Sequence, residues 1–205
     1  MAHHIYHTRG VILGSSMAGE SSRFYKIFTE ELGLISARAQ AVRESKSKLR
    51  YSLQDFSWAY LDLVRGKEVW RITSAGECEK LTKNGENSTK LPVITTNNPQ
   101  FKLFADACSF IERFVQGESR DDYLFLDLFE LALFLGRETI PLRLTLSLKT
   151  LAKMRTLARL GYLNGNPYKE FLKSGDWSLN LLEIFEKVRA KAISHIDEAF
   201  SASHL

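Results

Sequence analysis

Hydrophobic and polar positions change their rhythm once along this chain. In the first 80 residues the apolar positions come in short runs with a period of two. Val11–Leu13 is a compact apolar run, and Arg23–Thr29 is rich in aromatic and β-branched residues. In Leu34–Val42, Ile35, Ala37, Ala39 and Ala41 share one face while Ser36, Arg38 and Gln40 share the other, as in a half-buried strand. Phe56–Val64 and Val69–Thr73 predict two more strands, joined by a tight connection at Gly66-Lys67, and Glu30-Glu31-Leu32-Gly33 predicts the turn between the second and third. Five short strands with long connections predict a small, partly open barrel.

From residue 101 the spacing becomes helical. Phe101, Phe104, Cys108, Ile111 and Val115 form one stripe ending at Gly117. Further helices are predicted over about 121–135, closed by Gly136, and about 144–160, closed by Gly161. A last one follows Asp176, with Leu181, Leu182, Phe185, Val188, Ala192 and Ile196 inward. Stripes of this width pack on one another, so the second half reads as a helical bundle. Between the halves, Leu81–Lys90 is polar and turn-forming, and Asn98-Pro99 has the composition of a helix start. The organisation expected is α+β: a barrel over 1–80, a linker over 81–100 and a helical domain over 101–205.

Composition narrows the chemistry. The 205 residues are 44% hydrophobic and 25% charged, as in folded proteins, so wholesale disorder is excluded. The two cysteines, Cys78 and Cys108, can build neither a disulfide scaffold nor a four-cysteine zinc site. The start of the chain has no apolar signal region, and Leu124–Leu135, interrupted by Asp127 and Glu130, is too short to span a bilayer. A cytoplasmic protein without membrane contact is expected. Gly14–Ser21 has the spacing of a phosphate-binding loop, but Glu20 stands where that loop needs lysine, so a turn between strands is the better reading. Histidines 3, 4, 7, 195 and 204 lie near the termini, and no nucleophile, base or acid pair is arranged for catalysis. A non-enzymatic protein with no metal and no cofactor is expected.

The formal charge of +4 is uninformative until it is located. Residues 36–50 hold Arg38, Arg43, Lys46, Lys48 and Arg50 against Glu44 alone. Residues 138–163 hold Arg143, Lys149, Lys153, Arg155 and Arg159 against Glu138 alone. The first island lies in a barrel with many aromatics, the pairing that holds single-stranded nucleic acid by stacking and phosphate attraction. Tyr25, Tyr51 and Tyr60 are the stacking candidates, and Arg38, Arg43, Lys46, Lys48, Arg50 and Tyr51 form the candidate DNA-binding set. The second island lies on a helix with apolar Leu146, Leu148, Met154 and Leu157. It reads either as a solvated face or as a groove for an acidic, hydrophobic-ended peptide.

Several stretches, in order, carry a resemblance. These are Val11-Ile12-Leu13, Gly19-Glu20-Ser21, Ile27–Gly33, Val42–Leu49, Leu53-Gln54-Asp55-Phe56 and Arg65-Gly66-Lys67. Over residues 5–80 they resemble the N-terminal domain of RecO, the bacterial recombination-mediator DNA repair family. Leu157–Tyr162 resembles the end of a helix in that family's helical domain. The resemblance implies an OB-fold followed by helices. It also implies binding of single- and double-stranded DNA, strand annealing, and RecA loading with RecR and the C-terminal tail of single-strand-binding protein as partners. Two departures stand out. Gln40-Ala41 occupies the place of a common Lys-Gly pair, and Leu163–Gly175 lacks the cysteines of a zinc module, which marks a short member without zinc. The alternative is a protein-interaction adaptor that keeps the fold with weakened DNA binding.

Overall fold

The structure is a computed structural model that describes residues 4–42, 44, 47, 49–77, 79–80, 89–90, 99–164, 166–173 and 175–203. The expected linker and the Asn98 cap lie largely outside the described residues. The chain divides into two compact units, Met1–Val93 with Glu112–Asp122, and Ile94–Ile111 with Tyr123–Leu205. The segment 112–122, expected in the helical domain, therefore belongs with the barrel.

The first unit is built on five strands: β1 Ile5–Met17, β2 Arg23–Thr29, β3 Gly33–Ala39, β4 Trp58–Arg65 and β5 Trp70–Glu77. A short helix, α1 (Leu49–Ser52), lies between β3 and β4. The strands follow the order β1-β2-β3-β5-β4 and close on themselves, because β1 pairs with both β2 and β4. The contact of β3 with β5 is parallel and the other pairings are antiparallel. This is OB-fold topology. The barrel is closed rather than partly open. At 13 residues β1 is far longer than the run Val11–Leu13 that announced it. Its residues 5–11 pair with β4 and its residues 10–17 with β2, so one strand serves both sides of the closure. Bulges between Ile12 and Gly14, and between Asp62 and Leu63, bend the ladders as closure requires. Inside lie Ile12, Tyr25, Ile27, Ile35, Ala37, Ala39, Leu61, Leu63, Trp70 and Ile72. The small alanines of β3 leave room for the larger side chains opposite. A two-stranded ribbon, β6 Glu79–Lys80 with β7 Thr89–Lys90, follows.

The segment 112–122 is tied to the barrel by specific bonds. The Leu34 amide donates to the Gly117 carbonyl, the Trp70 indole donates to Glu118 at 3.1 Å, and Arg65 also pairs with Glu118. Lys26 pairs with Glu112 at 3.0 Å, and Arg120 with Glu31.

The second unit holds α3 Asp122–Arg137, α4 Thr145–Arg159, α5 Leu179–Glu186 and α6 Arg189–Ser203, with most of α2 Phe101–Phe114. Phe104, Cys108, Leu128, Leu131, Leu135, Leu148, Leu151, Met154, Phe185 and Ala192 are fully buried or nearly so. The single last helix expected from sequence is two. The Lys187 and Val188 amides bond back three residues, to Ile184 and Phe185, and end α5. No proline or glycine marks that break, and the inward stripe continues across it through Leu182, Phe185, Ala192 and Ile196. Among the described residues no helix is long and apolar enough to cross a membrane.

Candidate nucleic-acid interface

Strand parity decides which barrel side chains can meet a ligand. In β2, Tyr25 and Ile27 point inward while Phe24 and Lys26 point outward. In β3, Ser36 and Arg38 are the outward residues, and in β5 Arg71 is outward between buried Trp70 and Ile72. The register aligns these positions in one row. Ser16 of β1 faces Phe24 of β2, Phe24 faces Arg38 of β3, and Arg38 faces Arg71 of β5. Phe24 is 38% exposed. A shallow hollow of about 460 Å³ lies beside the row, lined in part by Gly14, Ser16, Phe24, Lys26, Ser36 and Val69.

The charges in the barrel unit fall into two groups. Arg9 pairs with Glu30, Lys26 with Glu112 and Arg65 with Glu118, so these cations are neutralised within the unit. Among the described residues, Arg38 and Arg71 have no carboxylate partner. Arg38 makes only one long bond, to the Ser22 hydroxyl at 3.3 Å. A ring with unneutralised guanidiniums in line on one side offers a base a stacking surface and its phosphates a counter-charge.

A second surface opens at the end of the barrel beside α1. This cleft, about 640 Å³, is lined by Ser15, Arg23, Tyr25, Val42, Arg50, Tyr51, Leu53, Gln54 and Asp55. Arg50 and Tyr51 are exposed on α1, Tyr51 at 74%. Asp55 is engaged by the Ser15 hydroxyl at 2.8 Å. Arg43, Lys46 and Lys48, the centre of the expected DNA-binding set, lie outside the described residues.

Two expectations change. Tyr25 is 1% exposed and belongs to the core, so it is no stacking platform. Burial raises its phenol above the usual range; Arg23 opposes that shift and Asp55 adds to it. Phe24, its neighbour, is the exposed ring. The signal was present in the sequence, since Phe24 shares the parity of Lys26 and Tyr25 that of Ile27. Tyr60 is partly exposed but stands across from Arg9 in the β1–β4 ladder, apart from the Phe24 row.

The second basic island is largely used within its own unit. Arg155, expected at a peptide groove, is 5% exposed. Its guanidinium donates to Asp127 at 2.7 Å, to the Phe171 carbonyl at 2.7 Å and to the Asp176 carbonyl at 2.8 Å, and it stacks on Trp177. Burial raises the Asp127 carboxyl and lowers the Arg155 guanidinium, each against the attraction of the other. Arg143 pairs with Glu183 and Glu186, and Lys149 with Asp106. Lys153 lies over Phe110 and Arg159 over Tyr123. Leu148, Met154 and Leu157, expected to form an apolar groove, are fully buried core. An amphipathic helix shows an apolar stripe whether that stripe lines a groove or fills a core, and here it fills the core.

Comparison with known proteins agrees with the barrel. Residues 1–79 match the family model "Recombination protein O N terminal". The DNA repair protein RecO of Dehalococcoides mccartyi (strain ATCC BAA-2266 / KCTC 15142 / 195) is 36% identical over 72 residues, which is 35% of this chain and 28% of that protein. The DNA repair protein RecO of Rubrobacter xylanophilus is 34% identical over 71 residues, 35% of this chain and 29% of that protein. That of Trichodesmium erythraeum is 30% identical over 132 residues, 59% of this chain and 46% of that protein. The aligned stretches thus span less than half of each of these relatives. The N-terminal OB-fold barrel of this chain thus matches the N-terminal domain of the RecO family of DNA repair proteins.

Proposed function

We propose that this protein binds single- and double-stranded DNA through its barrel and acts in repair as a recombination mediator, annealing strands and helping RecA to load, with RecR as a partner. It binds and positions DNA and carries out no bond-breaking step. The observation that supports this reading most is the row Phe24–Arg38–Arg71, where an exposed ring lies beside cations without carboxylate partners. Arg50 and Tyr51 add the barrel-end cleft, and Arg43, Lys46 and Lys48 supply further charge close to them in sequence. Phosphate contacts of this kind release counterions, so affinity falls steeply with salt. Fluorescence anisotropy with a labelled oligonucleotide at low and high salt tests the reading.

A second reading concerns the acidic tail of single-strand-binding protein. Its support is a pocket of about 230 Å³ lined by Tyr123, Leu124, Asp127, Arg155, Ala158, Arg159 and Leu172, at which Arg159 and Tyr123 are the exposed groups. In this reading the tail's carboxylates meet Arg159, whose guanidinium lies over the Tyr123 ring. Titrating the labelled tail peptide against wild type and Arg159→Glu tests it; equal affinities remove it.

A further inference from the structure

The barrel-end cleft holds two donors that the fold itself does not use. The Nε atom of Arg23 is buried and has no hydrogen-bond partner. The side chain of Tyr25, although 1% exposed, has no hydrogen bond among the described residues, and its ring lines the cleft. Leaving the buried Arg23 Nε unsatisfied is costly, and native proteins seldom do so without a reason. Arg23 and Arg50 also have no carboxylate partner among the described residues. The one carboxylate of the cleft, Asp55, is engaged by Ser15. The cleft is therefore cationic, with recessed donors and an exposed aromatic, Tyr51, as part of its lining.

Recession discriminates between parts of a DNA strand. An internal phosphodiester carries one charge and has a sugar on each side, which keeps it at the rim. A terminal phosphomonoester projects freely, carries more negative charge and offers three oxygens to donors. A base also projects, but being neutral it gains little from two unneutralised guanidiniums.

We propose that this cleft is a strand-end site, in which Arg23, Arg50 and the Tyr25 hydroxyl receive a terminal phosphate of a DNA strand that the Phe24–Arg38–Arg71 row holds along its length. The proposal rests on the nucleic-acid reading above and adds an end preference to it. Arg23 and Tyr25 stand on the opposite side of β2 from Phe24, and the two hollows adjoin at Ser15 and Tyr25, which line both.

Three labelled oligothymidylates of equal length test it: one with a 5′-phosphate, one with a 3′-phosphate and one with hydroxyls at both ends. Anisotropy titrations of the full chain are expected to show about ten-fold tighter binding of one phosphorylated strand than of the dihydroxyl strand. Inorganic phosphate should erode that preference. Arg23→Gln and, separately, Tyr25→Phe should abolish the preference while leaving the affinity for the dihydroxyl strand unchanged. Tyr25→Phe keeps the ring in the core, so it controls for a folding defect in Arg23→Gln. Equal affinity for all three strands overturns the proposal and leaves DNA binding standing. A preference that survives both variants also overturns it. Binding to none of the strands overturns both readings.

Discussion

A Cβ placed on Gly33 would stand 2.3 Å from the carbonyl oxygen of Ser119. Gly33 also has φ +68°, a conformation that other residues adopt at a cost. It ends the turn from β2 to β3, where the Thr29 hydroxyl donates to the Gly33 carbonyl at 2.9 Å and accepts from the Leu32 amide. Gly33→Ala therefore combines backbone strain of about 1–2 kcal/mol with overlap against a backbone that cannot rotate away, about 1–3 kcal/mol. Urea unfolding is expected to show a loss of more than about 2 kcal/mol. A midpoint within error of wild type would contradict this.

Ala41 makes the opposite case. It follows β3 and has φ +55° with a side chain in place. Ala41→Gly removes strain of about 1–2 kcal/mol and costs about 0.5–1 kcal/mol in unfolded-state entropy. A net gain of about 0.5–1 kcal/mol is expected, read as a higher denaturant midpoint with unchanged slope.

In the helical unit the Arg155–Asp127 pair holds the segment that follows α4. Asp127 also accepts from the Gly175 amide, and its backbone carbonyl accepts from the Trp177 indole. Asp127→Ala strands the Arg155 charge and should cost about 3–5 kcal/mol, whereas replacing both partners together by apolar residues should cost much less. A double-mutant cycle on thermal unfolding separates the two, and additive losses would show that the pair does not act as a unit.

Tyr25 gives a pH signature. Its folded phenol titrates above the ordinary value of 10, so on raising the pH the unfolded chain loses this proton first. Stability is therefore retained below about pH 10 and falls as pH rises beyond it. Tyr25→Phe should remove that part of the alkaline decline. An identical alkaline profile in the variant would contradict it.

Much of the architecture was legible in the chain, and the misses have physical causes. Aromatic and β-branched content located β2 at its observed bounds, and period-two alternation placed the faces of β3 correctly, because a half-buried strand sorts its side chains by parity. It did not show the length of β1, whose outer residues Tyr6, His7, Thr8, Ser15 and Ser16 pair along the ladder without an apolar alternation. Nor did it show closure, which depends on which strands meet rather than on any one strand's pattern. The break between α5 and α6 carries no breaker residue. Arg155 was misplaced because charge type says nothing about burial when the partner, Asp127, is 28 residues away. At the candidate site, Arg38, Arg50 and Tyr51 are exposed as expected. The outward face of Phe24 was legible from parity, but its alignment with Arg38 and Arg71 comes from register across three strands.

The central claim is that the Phe24–Arg38–Arg71 row binds a DNA strand. Its most direct test is an anisotropy titration of single-stranded DNA with wild type, Phe24→Ala and Arg38→Ala at several salt concentrations. Both variants should melt like the wild type, since surface changes of this kind move stability by only about 0.5 kcal/mol. Phe24→Ala should weaken binding by about 1–3 kcal/mol with the salt slope unchanged, as expected for a lost stacking contact. Arg38→Ala should weaken it and reduce the salt slope by about one, as expected for a lost phosphate contact. Wild-type affinity and slope in both variants would contradict the account.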